Sequence, residues 1–146
     1  MSLGSDFRAA IHHAHRALLA LDAQQAQQPF REGGWRRIEL LGHMIDSCLY
    51  NHVRFLTAAN TGTLAVTRYD QIGSVRLHDY AGLAWEEVLD YWCIHNELLT
   101  RAVERISEDA HAIECRLEDG EVMRLDDLIR DYLRHTQHHV AQLAAS

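Results

Sequence analysis

The chain has 146 residues, of which 47% are hydrophobic and 24% charged, with one proline and eight glycines. That is the length of one domain, with apolar material for a single substantial core, and the composition fits a mostly helical protein. A net charge of −7 excludes a broad basic surface for nucleic acid.

Other classes fall away on similar grounds. No apolar run approaches the ~18 residues that a membrane span requires, and no charged-then-apolar leader is expected. The three cysteines, Cys48, Cys93 and Cys115, are odd in number and scattered. They argue against a disulfide framework and for a reducing, cytoplasmic setting. All fourteen basic residues are arginine, so Schiff-base chemistry on lysine is excluded.

Four helices are predicted in chain order. The first runs from about Ser5 to Ala26, with Phe7, Ile11, Ala14, Leu18 and Leu21 at steps of three and four and Ser5 as N-cap. Pro29 and Gly33-Gly34 break the pattern. The second spans about Trp35 to Ala59. The third, from Leu83 to about Ile106, carries the stripe Trp85, Leu89, Trp92, Asn96, Leu99, Val103 and Ile106. The tryptophans in it read as core, and Asn96 as a hydrogen-bonding group facing a polar interior. The fourth runs from about Asp126 to Ala144. Between the third and fourth, alternation around Asp119-Gly120 predicts a small β-hairpin over 113–117 and 121–125.

The links carry topological information. The first, 27–34, is short enough to join antiparallel neighbours. The second, 60–82, is long enough to span the roughly 37 Å of a 25-residue helix. It therefore permits a crossover, with the second and third helices parallel. No internal repeat, low-complexity tract or second domain is expected.

Chemistry concentrates on two helix faces. His135 and His139 stand four residues apart, so at about 100° per residue both project from one face and can share a metal ion. His138 competes, because positions 135 and 138 also share a face. Leu128, Asp131, Tyr132 and Gln142 lie on the same side. On the second helix, Asp46, Ser47, Tyr50 and Arg54 fall within about 60° of His43, with Glu39 one turn earlier. Burying such stripes requires partners, water or metal. An exposed stripe needs no explanation, and eleven histidines make a chance pair attainable. His12, His13, His15, His52, His78 and His111 read as ordinary surface or boundary residues. A zinc-protease motif needs Glu after its first histidine, where Thr136 stands. A di-iron bundle needs two Glu-x-x-His pairs, which are missing before His43 and His135.

Taken together, Trp35-x-x-x-Glu39-x-x-x-His43-x-x-Asp46, then Tyr50-Asn51-His52-x-Arg54-Phe55, Tyr69-Asp70-Gln71 and Tyr132-Leu-Arg-His135-x-x-His138-His139-x-x-Gln142, resemble the DinB-like superfamily of metal-dependent four-helix proteins. That superfamily includes the YfiT-like thiol transferases. The resemblance extends over nearly the whole chain. It implies an all-α, up-down-down-up four-helix bundle with a long crossover, often a homodimer, a fit also with apolar residues such as Phe7 and Leu21 left for a partner. It implies a divalent ion, zinc or nickel, on His43, His135 and His139, which decides for His139 over His138. It implies a small-molecule substrate, with a low-molecular-weight thiol as one candidate, and a transferase or hydrolase reaction. In that frame Asp46 or Glu39 orients a ligand imidazole, and Tyr50 and Arg54 bind an anionic substrate group. The competing expectation is a non-catalytic metal- or small-molecule-binding bundle.

Overall fold

The computed structural model describes residues 2–145. Among the described residues there are six α-helices: α1 (Leu3–Leu19), α2 (Ala23–Ala26), α3 (Arg37–Thr61), α4 (Gln71–His78), α5 (Trp85–Arg105) and α6 (Leu125–Ala144). The four long ones, α1, α3, α5 and α6, form the expected bundle. The first predicted helix is really two: α1 is capped by Ser2 rather than Ser5, and it stops at Leu19. Asp22 and Gln25 then form a reciprocal capping box that starts α2.

Cross-helix contacts fix the directions. Arg8 of α1 bonds Glu97 and Glu104 of α5, while His15 lies against Cys93 and Trp92, so α1 and α5 run antiparallel. On α3 and α5, His52 meets His95, and Ile45 and Leu49 share a cavity with Glu87, Val88 and Tyr91. Those two helices are therefore parallel. Arg37 and His43 of α3 reach Leu143 and His139 of α6, whereas Phe55 meets Tyr132, which makes this pair antiparallel. The order up-down-down-up follows, as the long second link requires.

The short first link does not join neighbours, however. Both α1 and α3 pack on α5 and α6, and they face each other diagonally across the core. The segment containing α2, with the bridge between Pro29 and Arg36, carries the chain across the bundle end. Periodicity reports that a helix has a buried face; it does not report which helix covers it.

Tyr132 is the centre of the core. Its ring stacks on Phe7 at 5.8 Å and meets Phe55 edge-on at 6.1 Å. Its hydroxyl donates to Asn96 Oδ1, and the Asn96 amide in turn donates to the Trp92 carbonyl. Asn96 is thus the polar residue in an apolar stripe that the sequence suggests. Phe7 is fully buried and leaves nothing for a partner subunit, contrary to expectation. Large exposed apolar side chains include Val53 on α3 and Tyr91, Ile94 and Leu98 on α5.

The crossover is ordered structure. It contains β1 (Leu64–Ala65), α4 and a 3-10 turn over Tyr80–Gly82. The predicted hairpin is present as β2 (Glu114–Arg116) and β3 (Val122–Arg124), turning at Gly120 with φ of 90°. Unforeseen, β1 pairs in parallel with β2, matching Leu64 to Cys115. A strand of two residues has no period to read.

At its far end the crossover is pinned to α3. Tyr80 Oη donates to buried Asp46 Oδ1 at 2.6 Å, and His78 Nδ1 lies 2.9 Å from the same oxygen. His78 is therefore no ordinary surface residue. Gly42 makes this docking possible, because a Cβ there would stand 2.0 Å from the Tyr80 ring. In a helix interior, Gly→Ala ordinarily stabilises by up to about 1 kcal/mol. Here the ring has to move, and overpacking of this kind costs about 1–3 kcal/mol. Gly42→Ala is expected to lower stability by about 1–2 kcal/mol, read as an earlier midpoint of urea unfolding at unchanged slope.

Candidate metal centre

The site is built where the start of α3 meets the end of α6. Arg37, buried at the first turn of α3, donates from Nε to the Leu143 carbonyl at 2.9 Å and from Nη2 to the Ala145 carbonyl at 2.6 Å. Its Nη1 donates to the Pro29 carbonyl. A cation thus satisfies carbonyls left open at a helix C-terminus and clamps two helices that are far apart in sequence.

One helical turn or so inward, this clamp sets His43 against His139, with ring centroids 5.1 Å apart and nearly perpendicular. Trp35 packs on the other side of His43 at 5.3 Å. His43 is 8% exposed, and its Nδ1 is buried without a hydrogen-bond partner. Burial, with His139 and His135 adding to it, pushes the His43 imidazole down to about 4. His139 is lowered as well, chiefly by burial, against the opposing effect of its bond to Gln142. Both rings are held neutral, the form that binds metal.

His135 lines the same cavity but is exposed. Among the described residues, no three His, Cys, Asp or Glu side chains converge into a ready cluster. The structure brings His43 and His139 together and leaves His135 one helical turn away on the cavity wall. Closing the triad requires a swing of that exposed ring. His138 stands beside His139, 5.3 Å from it, exposed and outside the cavity wall.

The orienting groups differ from expectation. Glu39 accepts the backbone N–H of Arg36 at 3.0 Å and so starts α3. Asp46 is engaged with Tyr80 and His78 on the other flank of the helix. Neither bonds His43, His135 or His139. Gln142 does: its Oε1 lies 2.8 Å from His139 Nδ1, leaving Nε2 as the free donor. The spacing of three between His139 and Gln142 was the available signal.

The cavity has a volume of about 750 Å³. Its α3 wall is His43, Met44, Ser47, Asn51 and Arg54, and its α6 wall runs from Leu128 to His139. The crossover supplies Val66, Arg68, Tyr69 and Gln71, and the hairpin supplies Leu117 and Met123. Arg54 is half-buried on this wall and donates to the Thr67 carbonyl, which ties the crossover to α3. Tyr50 stands one layer back, stacked on Tyr69 at 4.0 Å, and reaches the cavity only through it. Sequence reasoning missed Tyr69 as a wall residue. Its hydroxyl is buried without a partner, and burial first, then Asp46, push it up to about 12.

Comparison with known proteins identifies the family and the fold. The family model described as the DinB superfamily matches residues 6–143. A Bacillus licheniformis protein named "Putative metal-dependent hydrolase" is 26% identical over 153 residues, 96% of this chain and 80% of that protein. A Bacillus pumilus protein of the same name is 29% identical over 119 residues, 82% of this chain and 68% of that one. The solved structure of YfiT from Bacillus subtilis, described as a probable metal-dependent hydrolase with an unusual four-helix bundle topology, matches with a TM-score of 0.83. That match has 19% identity and covers 96% of this chain and 83% of YfiT. A mycothiol-dependent maleylpyruvate isomerase matches with a TM-score of 0.80 at 20% identity, over 99% of this chain and 62% of its own. At such identities the structural likeness establishes the fold.

The His43 shift has a thermodynamic consequence for the metal-free protein. The unfolded chain takes up a proton near 6.5 and the folded ring only near 4, so stability is undiminished above 6.5 and falls as pH drops towards 4. The full effect is at most about 3 kcal/mol. Urea unfolding of chelator-treated protein across this range should show the decline, and His43→Leu should make it shallower by about that amount.

Proposed function

Since the chain belongs to the DinB superfamily, we propose that it is a divalent-metal-dependent enzyme holding zinc or nickel on His43, His135 and His139. The observation that carries this reading is the facing pair His43 and His139. Both are kept neutral by burial, and one buried nitrogen lacks a partner beside a cavity large enough for a small molecule. Leaving a buried ring nitrogen unpaired is costly unless the site takes something in. Three imidazoles leave coordination positions open, as catalytic sites do.

The metal, when bound, lowers the pKa of a coordinated water or thiol towards neutrality and polarises the substrate. The chain's own residues do the rest. Gln142 holds the His139 ring with Nε2 inward. Arg54 and Arg68 set positive charge on the wall, which suits an anionic substrate. Tyr69, which keeps its proton throughout the neutral range, donates a hydrogen bond to a substrate oxygen. Asp131, one turn before His135, lines the α6 wall and is ion-paired with Arg134. Among the described wall residues there is no cysteine or lysine. On this reading the attacking group is water, giving hydrolysis, or an incoming low-molecular-weight thiol, giving transfer. A homodimer belongs to the same proposal and is read as a doubled mass by light scattering at micromolar concentration.

Metal analysis of untagged protein is expected to give close to one tightly held zinc or nickel per chain, lost in His43→Ala and His139→Ala with helical content retained. Gln142→Leu should weaken metal affinity about 10–100-fold. A screen of small anionic esters and thiol acceptors should show turnover that disappears with chelator and returns with metal. Arg54→Ala should then raise KM by more than it lowers metal occupancy. Protein that binds metal but converts nothing in the screen would shift the reading to a non-catalytic binding bundle.

A further inference from the structure

On the side of α3 opposite His43, a second histidine pair joins two helices. His52 Nδ1 and His95 Nε2 are 3.0 Å apart, with ring centroids at 5.1 Å and planes inclined by 47°. Nine residues separate positions 43 and 52, which at about 100° per residue is half a turn beyond two full turns. This pair therefore shares no residue with the cavity. We propose that His52 and His95 form a separate, two-histidine site for a copper(II) or nickel(II) ion at the α3–α5 seam.

The donors favour copper. At metal–nitrogen distances of about 2.0–2.1 Å, two nitrogens 3.0 Å apart subtend about 95° at a shared ion, a cis pair compatible with the tetragonal shell of copper(II) or nickel(II). Affinity for imidazole donors also peaks at copper among the divalent first-row metals.

The surroundings permit binding. Both rings are half-buried, so each is anchored and each keeps a side open to water, which completes the shell. Tyr91 packs edge-on against His95 at 5.9 Å and limits its swing. Burial lowers both imidazoles from their ordinary value, so at neutral pH neither proton charge nor repulsion keeps an ion out. The present contact needs one N–H between the two nitrogens. On binding, that proton moves to the ring's other nitrogen, both lone pairs turn to the metal, and no net charge is lost from the protein.

The test does not depend on the cavity site. In the His43→Ala/His135→Ala/His139→Ala background, copper(II) is titrated in buffer containing glycine, which competes away single-histidine sites. One copper per chain is expected, with an electron paramagnetic resonance spectrum showing two nitrogen ligands. His52→Gln or His95→Gln should each weaken it at least tenfold, and His12→Gln should leave it unchanged. Should circular dichroism show the triple variant unfolded, the same titration on chelator-treated wild type carries the test, with loss of one of its copper sites expected on His52→Gln. Absence of this copper, or its persistence in the His52→Gln/His95→Gln variant, would overturn the site. Failure of zinc binding at His43 would leave this result standing, so the two proposals fail separately.

Discussion

A buried carboxylate on α3 holds the fold to its unusual course. Because α3 and α5 run parallel, the chain must return the whole length of the bundle between them. A free link of that length would cost entropy and would close nothing. Here it is fixed at one end by β1 pairing with β2, in the middle by Arg54 on the Thr67 carbonyl, and at the far end by Asp46. Asp46 is 1% exposed, a costly place for a carboxylate. Burial pushes its pKa up, while the Tyr80 hydroxyl and His78 push it back. Removing either donor would leave the charge under-compensated, which typically costs more than the bond itself contributes. Together these anchors hold the crossover over the cavity that Arg68 and Tyr69 line.

Parts of this were legible in the sequence because they rest on local periodicity. The stripe from Trp85 to Val103 is buried as read, and Asn96 takes up the polar role its position suggested. The unequal links foretold the parallel pair, since chain length bounds reach. The direction of His43 on α3, shared with Ser47 and Arg54, correctly gathered one wall of the cavity. What escaped depends on partners distant in sequence. Asp46 lies within 60° of His43 on the helical wheel, yet Tyr80 claims it from the other flank. Glu39 was read as part of the site, whereas it accepts the backbone N–H of Arg36 at the start of α3, where no Ser, Thr, Asp or Asn announces a cap. No pattern around His52 announces His95, which was overlooked altogether. Arg37 resembles any surface arginine until the end of α6 is seen to lie over it.

That arginine explains how the bundle places two histidines from opposite ends of the chain within contact. Helices slide and rotate against each other at small cost when only apolar side chains meet, because many packings are nearly equal. A guanidinium with three carbonyl partners at 2.6–2.9 Å removes that freedom at one end. At the other, the Tyr132 hydroxyl on Asn96 and its ring against Phe7 and Phe55 fix the rotation of α6. His139 sits between these two restraints, roughly a turn from the first and two from the second. Its ring can therefore be aimed by a single further bond to Gln142.

The cost of this arrangement falls on the metal-free fold. His43 and His139 occupy positions where leucines would pack without orphaned nitrogens or lowered pKa values. A sequence chosen for stability alone would place them there. Instead, this departure from good packing lies beside a cavity of about 750 Å³, with its ring nitrogens already neutral and its helices already clamped. Such a departure is what a binding site requires, because a ligand can stabilise the folded state only through groups the fold leaves unsatisfied. The Asn96–Tyr132 pair is more deeply buried, and its hydroxyl and amide are hydrogen-bonded within the core. The contrast between these two polar clusters, one hydrogen-bonded within the core and one with an unpartnered ring nitrogen, is what supports the proposed site.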